Sequence, residues 1–290
     1  MAVQRIEAVT ESDGSALHEG RIDADAVAAY ALATNDHNPV YQKGQAVPPL
    51  FTATMILPAV WEVQRVRRPD RRTVRGAAGS VHGEHVVICW GPARPGDQLR
   101  WQATTHGAHS RRGGVVVTQR VLVTDRVGNP VIEHLWSNFH LRGVIDEDFG
   151  PQPPDHAFPE KARALPFGTR AVTVDRDQAW RYAGVSGDRA PHALDEEQAQ
   201  REGYPTKILQ GMCTFGLSAG AVVDLAAAGD PTRIRRLAGR FSAPAFPKKD
   251  LVINMFDAGH TEEGGRSLAF EVLQDGVTVI RHGRVDLVPD

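Results

Sequence analysis

The sequence has little cysteine, no long apolar run and no excess of charge of one sign, and each absence excludes a class of protein. Only 2 cysteines occur in 290 residues, Cys89 and Cys213, and neither belongs to a closely spaced pair. We therefore expect no disulfide framework and no metal site, and we predict a reducing, cytoplasmic location. No apolar run approaches the ~20 residues that a transmembrane helix needs, and the first residues do not resemble a secretory signal. No membrane association is therefore predicted.

The charges are balanced, with 33 Lys+Arg against 35 Asp+Glu and a net charge of −2 at pH 7. Proteins that bind nucleic acid electrostatically need an excess of basic residues, so no nucleic-acid partner is expected. Hydrophobic residues make up 41% of the chain, which is typical of a globular protein with a real core. The length corresponds to one large domain or to two domains of about 145 residues each.

An internal repeat favours two domains. Residues 30–39 align with residues 182–191, with Tyr, Ala, Asp and Pro at equivalent positions, and the same offset of 152 pairs Leu99 with Leu251. One offset held over such a span predicts two diverged halves of similar structure. A proline-rich stretch lies between the halves. We predict an N-terminal domain over residues 1–145, a linker over 146–167 and a C-terminal domain over 168–290.

Each half shows the same order of predicted helices. A short helix with aspartate near its start is predicted at 23–33 and again at 175–185. A longer apolar helix follows, at about 50–65 in the first half, where Pro58 interrupts it, and at 211–228 in the second half. The second of these is apolar nearly all round, so it should be buried.

Predicted strands follow the long helix in each half. In the first half, residues 115–124 and 131–141 flank a turn and predict a hairpin. In the second half, the corresponding strands are predicted at 251–256, 267–273 and 277–287. A buried helix followed by an antiparallel meander is an α+β pattern, and a sheet wrapped around the helix would bury it.

Three segments of the second half carry a recognisable pattern. They read Ser-Gly-Asp-Arg-Ala-Pro-His at 186–192, Ile-Leu-Gln-Gly-Met-Cys-Thr at 208–214 and Arg-Phe-Ser-Ala-Pro-Ala-Phe-Pro at 240–247. Together with His-Gly-Glu at 82–84 and Arg-Pro-Gly-Asp at 94–97, they resemble the MaoC-like (R)-specific enoyl thioester hydratase/dehydratase family. The resemblance covers nearly the whole chain. It implies a double hotdog, which is two tandem folds that each wrap a curved antiparallel sheet around one long helix.

The resemblance also implies a site. The family acts on acyl chains carried by coenzyme A or acyl carrier protein, without a metal or redox cofactor, and its signature reads Gly-Asp-any-Asn-Pro-apolar-His. In the second half Gly187, Asp188 and Pro191 match this signature. Ala193 stands at the histidine position, and the histidine lies one residue earlier, at His192.

The first half and the helix start supply secondary candidates. Asp36 and Asn38 match the signature, and Tyr41 stands at its histidine position. Gln210 stands where the family commonly has a histidine, before the glycine that opens the long helix. Simpler roles are open for each of these residues: a structural turn for Asp36 and Asn38, and buried packing for Tyr41.

Hydration of a 2-enoyl thioester needs a base for the attacking water, an acid for C2 and donors for the enolate oxygen. Asp188 is the predicted base and His192, four residues on, its partner around one water. The backbone N–H of Gly211 is the predicted oxyanion donor, because free N–H groups lie at a helix start. The plainer alternatives are an Asx turn for Asp188 and a surface or packing role for His192.

Arginines cluster between positions 65 and 75 and again at Arg233, Arg235 and Arg236. A solvated loop explains them simply. The more specific hypothesis is that these arginines bind substrate, by contacting the phosphates of coenzyme A or phosphopantetheine or an acidic carrier protein.

Two further expectations concern a tunnel that would hold the acyl chain of the substrate and the start of a strand near residue 82. Gly220 is expected to leave room for the acyl chain, and Trp61 to limit it. His82 and Glu84 look like a charged pair, but the favoured role for them is to brace a strand entry.

The preferred function is hydration of 2-enoyl thioesters, or the reverse dehydration of 3-hydroxyacyl thioesters, by a metal-free Asp/His mechanism. Three alternatives stay open: a polyketide-tailoring dehydratase or cyclase with a larger substrate, a non-catalytic acyl-thioester-binding subunit, and a thioesterase. The predicted assembly is a monomer or a homodimer.

Overall fold

The computed structural model describes residues 7–10, 16–65 and 74–289. The helices of these residues are α1 (Ala24–Ala33), α2 (Pro39–Gln42), α3 (Thr52–Arg65), α4 (Gln178–Ser186), α5 (Pro191–Leu194), α6 (Glu196–Arg201) and α7 (Gly211–Ala227). The strands are β1 (Glu7–Thr10), β2 (Ala16–Arg21), β3 (Gly79–Cys89), β4 (Gln98–Arg111), β5 (Gly114–Thr124), β6 (Pro130–Leu141), β7 (Pro166–Val172), β8 (Ile234–Phe241), β9 (Leu251–His260), β10 (Arg266–Gln274) and β11 (Val277–Leu287).

All eleven described strands form one antiparallel sheet in the order β1-β2-β4-β5-β6-β3-β8-β11-β10-β9-β7. From the edge of the sheet towards its centre, the first half has the order β2-β4-β5-β6-β3. The second half, read from the opposite edge towards the centre, has the corresponding order β7-β9-β10-β11-β8. This correspondence confirms the predicted repeat. The halves join where β3 pairs with β8, and there Val86 lies opposite Ala238, a separation of 152 residues. The offset read from the sequence is therefore also the symmetry relation at the centre of the sheet.

One long helix packs against each half of the sheet. Helix α7 contacts β7, β8, β9 and β11, and α3 contacts β2, β4 and β5. Most of α7 is buried, as its apolar sequence predicts, and Phe215 in its second turn has no exposed surface. Helix α3 continues through Pro58 instead of ending there. The predicted α+β double-hotdog arrangement is confirmed.

The hairpin between β10 and β11 has a tight turn that is typical of its Asp-Gly sequence. Asp275 and Gly276 have φ values of 49° and 78°, so both adopt the left-handed conformation of a tight hairpin turn. Farther along the pair, Gly283 faces Phe270, and a Cβ at Gly283 would lie 2.4 Å from the ring atom Cδ2. The two strands therefore pack closely because this position has no side chain.

The segment between the halves crosses the sheet. It contains a short 3₁₀ helix, Glu160–Ala164, and strand β7 begins at Pro166. Phe158 and Ala162 pack against Ala269 of β10. The domain limits at 145 and 168, like the assembly state, stay predictions. Within the described residues, no helix is long and apolar enough to cross a membrane.

Candidate active site

A cavity of about 460 Å³ lies where the two halves meet, and it contains the principal predicted site residues. The second half contributes the turn at Asp188, residue His192 and the start of α7 at Gly211. The first half contributes side chains from α3, β3 and β6, namely Trp61, Gln64, Ser80, Val81, His82, Trp136 and Asn138. The cavity wall is therefore shared between the repeats.

The turn after α4 holds Asp188. Gly187 ends the helix in the left-handed conformation, with φ of 76°, and the Asp188 N–H donates to Ser186 Oγ at 3.1 Å. Asp188 Oδ1 accepts the Ala190 N–H at 3.1 Å, so the predicted Asx turn is present. Burial raises the pKa of Asp188, although the Ala190 N–H and His192 oppose the rise. The carboxyl is thus both a turn former and a partly desolvated group on the cavity wall.

His192 lies in the short helix α5 and is half-buried. Its Nδ1–H donates to Glu202 Oε2 at 2.8 Å, and its ring meets Tyr204 edge-on. None of the described hydrogen bonds joins His192 to Asp188. Ala193, at the signature position for histidine, is buried in the core. The structure therefore brings His192 to the cavity of Asp188 but pairs it with a different carboxylate.

The start of α7 lies beside Asp188. The first intrahelical bond runs from Thr214 N–H to Gln210 O at 3.1 Å, so the N–H of Gly211 precedes the helical ladder. Gln210 Nε2 donates to Asp188 O and to Ala179 O, both at 3.1 Å. Gln210 is therefore a positioning residue that ties the aspartate turn to the helix start.

The first half repeats this turn at Asp36, but in a different place. Asp36 Oδ1 accepts the Asn38 N–H at 3.1 Å, as Asp188 does with Ala190. Asp36 borders a separate cavity of about 890 Å³ that shares no lining residue with the cavity of Asp188. Burial, supported by the neighbouring Asp224 carboxylate, raises the pKa of Asp36 to about 6.

Helix α7 also borders this second cavity through Gly220. A Cβ at Gly220 would lie 2.8 Å from Asp36 Oδ2, so this glycine makes room for the Asp36 carboxylate. Gly220 does not line the cavity of Asp188, and a role for it in an acyl tunnel stays a prediction. Trp61, in contrast, lines the cavity of Asp188 as expected.

The other first-half candidates have structural contacts. Asn38 caps α2 by accepting the Val40 N–H at 3.2 Å, and its Nδ2 donates to Gly229 O at 2.6 Å. Tyr41 is fully buried in the core and lines neither of these two cavities. Neither residue meets Asp188.

The predicted phosphate-binding arginines that lie within the described residues do not line the cavity of Asp188. Arg236 Nε lies 2.7 Å from Asp286 Oδ2. The Arg235 guanidinium lies 4.4 Å from the centroid of the Trp90 ring, and Arg233 borders another cavity. In the first cluster, positions 66–73 lie outside the described residues. A role of Arg233, Arg235 and Arg236 in substrate binding stays a prediction.

His82 and Glu84 contact each other through the backbone. The Nε2–H of His82 donates to the backbone oxygen of Glu84 at 3.1 Å, whereas the Glu84 carboxylate pairs with Arg240 and His156. The two side chains therefore do not form an ion pair with each other. His82 lines the cavity, and the first-half wall that it shares with Trp136 and Asn138 went unpredicted. Alternation along β6 places Trp136 and Asn138 on one face, but the sequence does not show that this face borders Asp188.

Fold and site together define a double-hotdog protein whose cavity carries the aspartate turn of the MaoC-like signature. Residues 160–275 match the family model described as a MaoC like domain, so the second half of this chain is similar to that family. The predicted resemblance is confirmed.

Several known proteins are similar to this chain in structure or in sequence. A MaoC-like dehydratase structure from Phytophthora capsici superposes with a TM-score of 0.80 at 21% identity, covering 95% of this chain and 96% of that one. The probable enoyl-CoA hydratase 2 of Dictyostelium discoideum is 25% identical over 176 residues, which is 58% of each protein. The peroxisomal multifunctional enzyme type 2 of Mus musculus is 28% identical over 220 residues, covering 73% of this chain and 28% of that protein. The matches thus span less than two thirds of these curated relatives.

Proposed function

We propose that this protein adds water to 2-enoyl thioesters, or removes it from 3-hydroxyacyl thioesters, in the cavity at Asp188. One observation carries the proposal: a desolvated carboxyl and the start of a long buried helix border the same cavity. The names of the relatives support it, since one is a probable enoyl-CoA hydratase and a structural neighbour is a MaoC-like dehydratase.

In the hydration direction, the Asp188 carboxylate takes a proton from water as the water oxygen attacks C3. The electrons of the double bond move onto the thioester oxygen, where the N–H of Gly211 stabilises the developing negative charge. The proton taken up by Asp188 then passes through His192 to C2, and the carbonyl re-forms. Dehydration follows these steps in reverse, so one set of groups serves both directions.

His192 is the proposed proton relay between these steps. Glu202 accepts from Nδ1, which leaves Nε2 as the nitrogen that can take or give a proton. The His192–Glu202 pair would therefore act beside Asp188 instead of sharing one short hydrogen bond with it. No step of this scheme requires a metal or a redox cofactor. The substrate carrier is coenzyme A or an acyl carrier protein.

A non-catalytic acyl-thioester-binding role is the second candidate. It is favoured by Ala193 at the signature histidine position and by the pairing of His192 with Glu202. Such a protein would retain substrate in the cavity but would show no turnover.

The test follows the loss of the conjugated enoyl-thioester absorbance with short, medium and long 2-enoyl-CoA substrates. Asp188→Asn keeps an oxygen for the Ala190 N–H and removes the base, so we expect kcat to fall by roughly 10²- to 10⁴-fold. Asp36→Asn is the matched control, because it makes the same change in the equivalent turn of the first half. Turnover lost with Asp36→Asn alone would overturn the assignment, and binding without turnover in the unaltered protein would establish the second candidate.

A further inference from the structure

His82 lines the cavity of Asp188, and its side chain carries a hydrogen-bond acceptor. A backbone oxygen can only accept, so the contact with Glu84 O places the ring proton on Nε2. Burial lowers the pKa of His82 to about 3, which keeps the imidazole neutral near pH 7. Nδ1 therefore carries a lone pair, and none of the described residues donates a hydrogen bond to it.

Asn138 presents the complementary donor. It lies directly opposite His82 in the register of β3 and β6. Its Oδ1 accepts from Trp136 Nε1 at 3.1 Å, which leaves the Nδ2 hydrogens without an acceptor among the described residues. The Trp136 ring also stacks on His82, with ring centroids 3.9 Å apart and planes 7° from parallel. One indole thus holds both polar groups in place.

A fixed acceptor beside a fixed donor is costly to desolvate unless a ligand satisfies both. A hydroxyl group fits, because it donates to Nδ1 and accepts from Nδ2 at once. A carboxylate does not fit, since it only accepts hydrogen bonds and would face the lone pair of His82 Nδ1.

The position of the pair points to the acyl part of the substrate. The Phe241 ring lies 3.6 Å from where a Cβ of Gly211 would be, and its centroid lies 4.9 Å from that of His82. The pair is thus one aromatic ring away from the proposed oxyanion donor, on the wall contributed by the first half. An acyl chain that begins at Gly211 and extends along this wall passes the pair with carbons beyond C3.

We propose that His82 and Asn138 bind a hydroxyl group on the acyl chain, so that the preferred substrates are hydroxylated, polyketide-like acyl thioesters instead of plain fatty acyl thioesters. This inference rests on the proposed function for the identity of the substrate. The binding site itself depends only on the cavity and its two polar groups.

The experiment compares matched acyl-CoAs that differ only in one hydroxyl, placed in turn at each carbon from C5 to C9. Calorimetry measures the affinity for saturated acyl-CoAs, and kcat/KM is measured for the 2-enoyl forms. At one position, we expect the hydroxyl to tighten binding by roughly 3- to 10-fold, as one neutral hydrogen bond does, and to lower KM more than it changes kcat. His82→Phe retains a ring against Trp136 and removes Nδ1, so it should abolish this preference. His106→Phe, on β4 and outside the cavity, should retain it.

Several outcomes would decide the matter. Equal affinity for plain and hydroxylated chains at every position in the unaltered protein would overturn the inference, whether or not His82→Phe folds. His82→Phe could also weaken the binding of plain and hydroxylated chains equally, with CoA esters but not with N-acetylcysteamine esters. That result would show that the pair binds the carrier and not the acyl chain, and it would also overturn the inference. A hydroxyl preference in binding without turnover would support the pair and refute the hydratase activity.

Discussion

Replacing Asp36 by asparagine should stabilise the protein at neutral pH. Burial raises the pKa of this carboxyl from its usual 3.8 to about 6. Since each tenfold change in proton affinity corresponds to about 1.36 kcal/mol, the ionised carboxylate costs the folded state about 3 kcal/mol. Asparagine removes this charge and retains an oxygen for the Asn38 N–H. We expect a gain of about 2 to 3 kcal/mol in the free energy of unfolding at pH 7.

The gain should depend on pH with a definite sign. Because the folded pKa lies above the unfolded one, the folded state retains a proton between about pH 4 and 6 that the unfolded state has released. The stability of the unaltered protein therefore falls as the pH rises through this window. The Asp36→Asn variant lacks the group, so its advantage should be near zero at pH 4 and reach its plateau above pH 6.

Urea unfolding, followed by circular dichroism from pH 4 to pH 8, measures this difference. Asp25→Asn, which alters an exposed carboxylate in the first turn of α1, is the control and should not stabilise the protein at pH 7. A pH-independent difference between Asp36→Asn and the unaltered protein, or a loss of stability at pH 7, would refute the reasoning from desolvation.

The acid limb of the kcat/KM profile for hydration should lie above the usual range of an aspartate, because burial raises the pKa of Asp188 and the base must be ionised; a profile still flat at pH 4 would contradict this. Gly283→Ala should destabilise the protein by about 1 to 3 kcal/mol, because the new Cβ would lie 2.4 Å from the Phe270 ring, and an unchanged melting temperature would show that the strands can separate freely. Trp61→Ala should raise kcat/KM for bulky acyl groups relative to short ones by enlarging the cavity, and an unchanged ratio would remove Trp61 from the acyl wall.

Much of the fold could be read from local patterns. The apolar run at 211–228 predicted α7 within one residue, because a helix that is apolar all round has to be buried. The strand predicted at 277–287 coincides with β11, since a tight-turn signal precedes it. Strands β3, β4 and β8 went unpredicted. Strand β3 pairs with β6 and β8, which lie far from it in sequence, and its pairing with β8 unites two halves that no local pattern connects.

The candidate site was predictable only in part. The motif located Asp188, His192 and Gly211 together, and all three line one cavity. Their contacts were not predictable. The partner of His192 is Glu202, which lies at the end of helix α6, and the motif does not include this residue. Gly220 shows the same limit: a small residue on a buried helix was assigned to the acyl tunnel, and it contacts the carboxylate of the other repeat.

The sequence by itself determined the duplication, the buried helices, the turn chemistry and the family that the second half resembles, because these depend on residue order along short segments or on a constant offset. Only the tertiary structure decided which of two equivalent aspartates shares a cavity with the start of α7, and which wall faces it. His82 and Asn138 are 56 residues apart in sequence and opposite each other in the sheet. Their role depends on strand pairing and on the packing of one half against the other, which no single segment encodes.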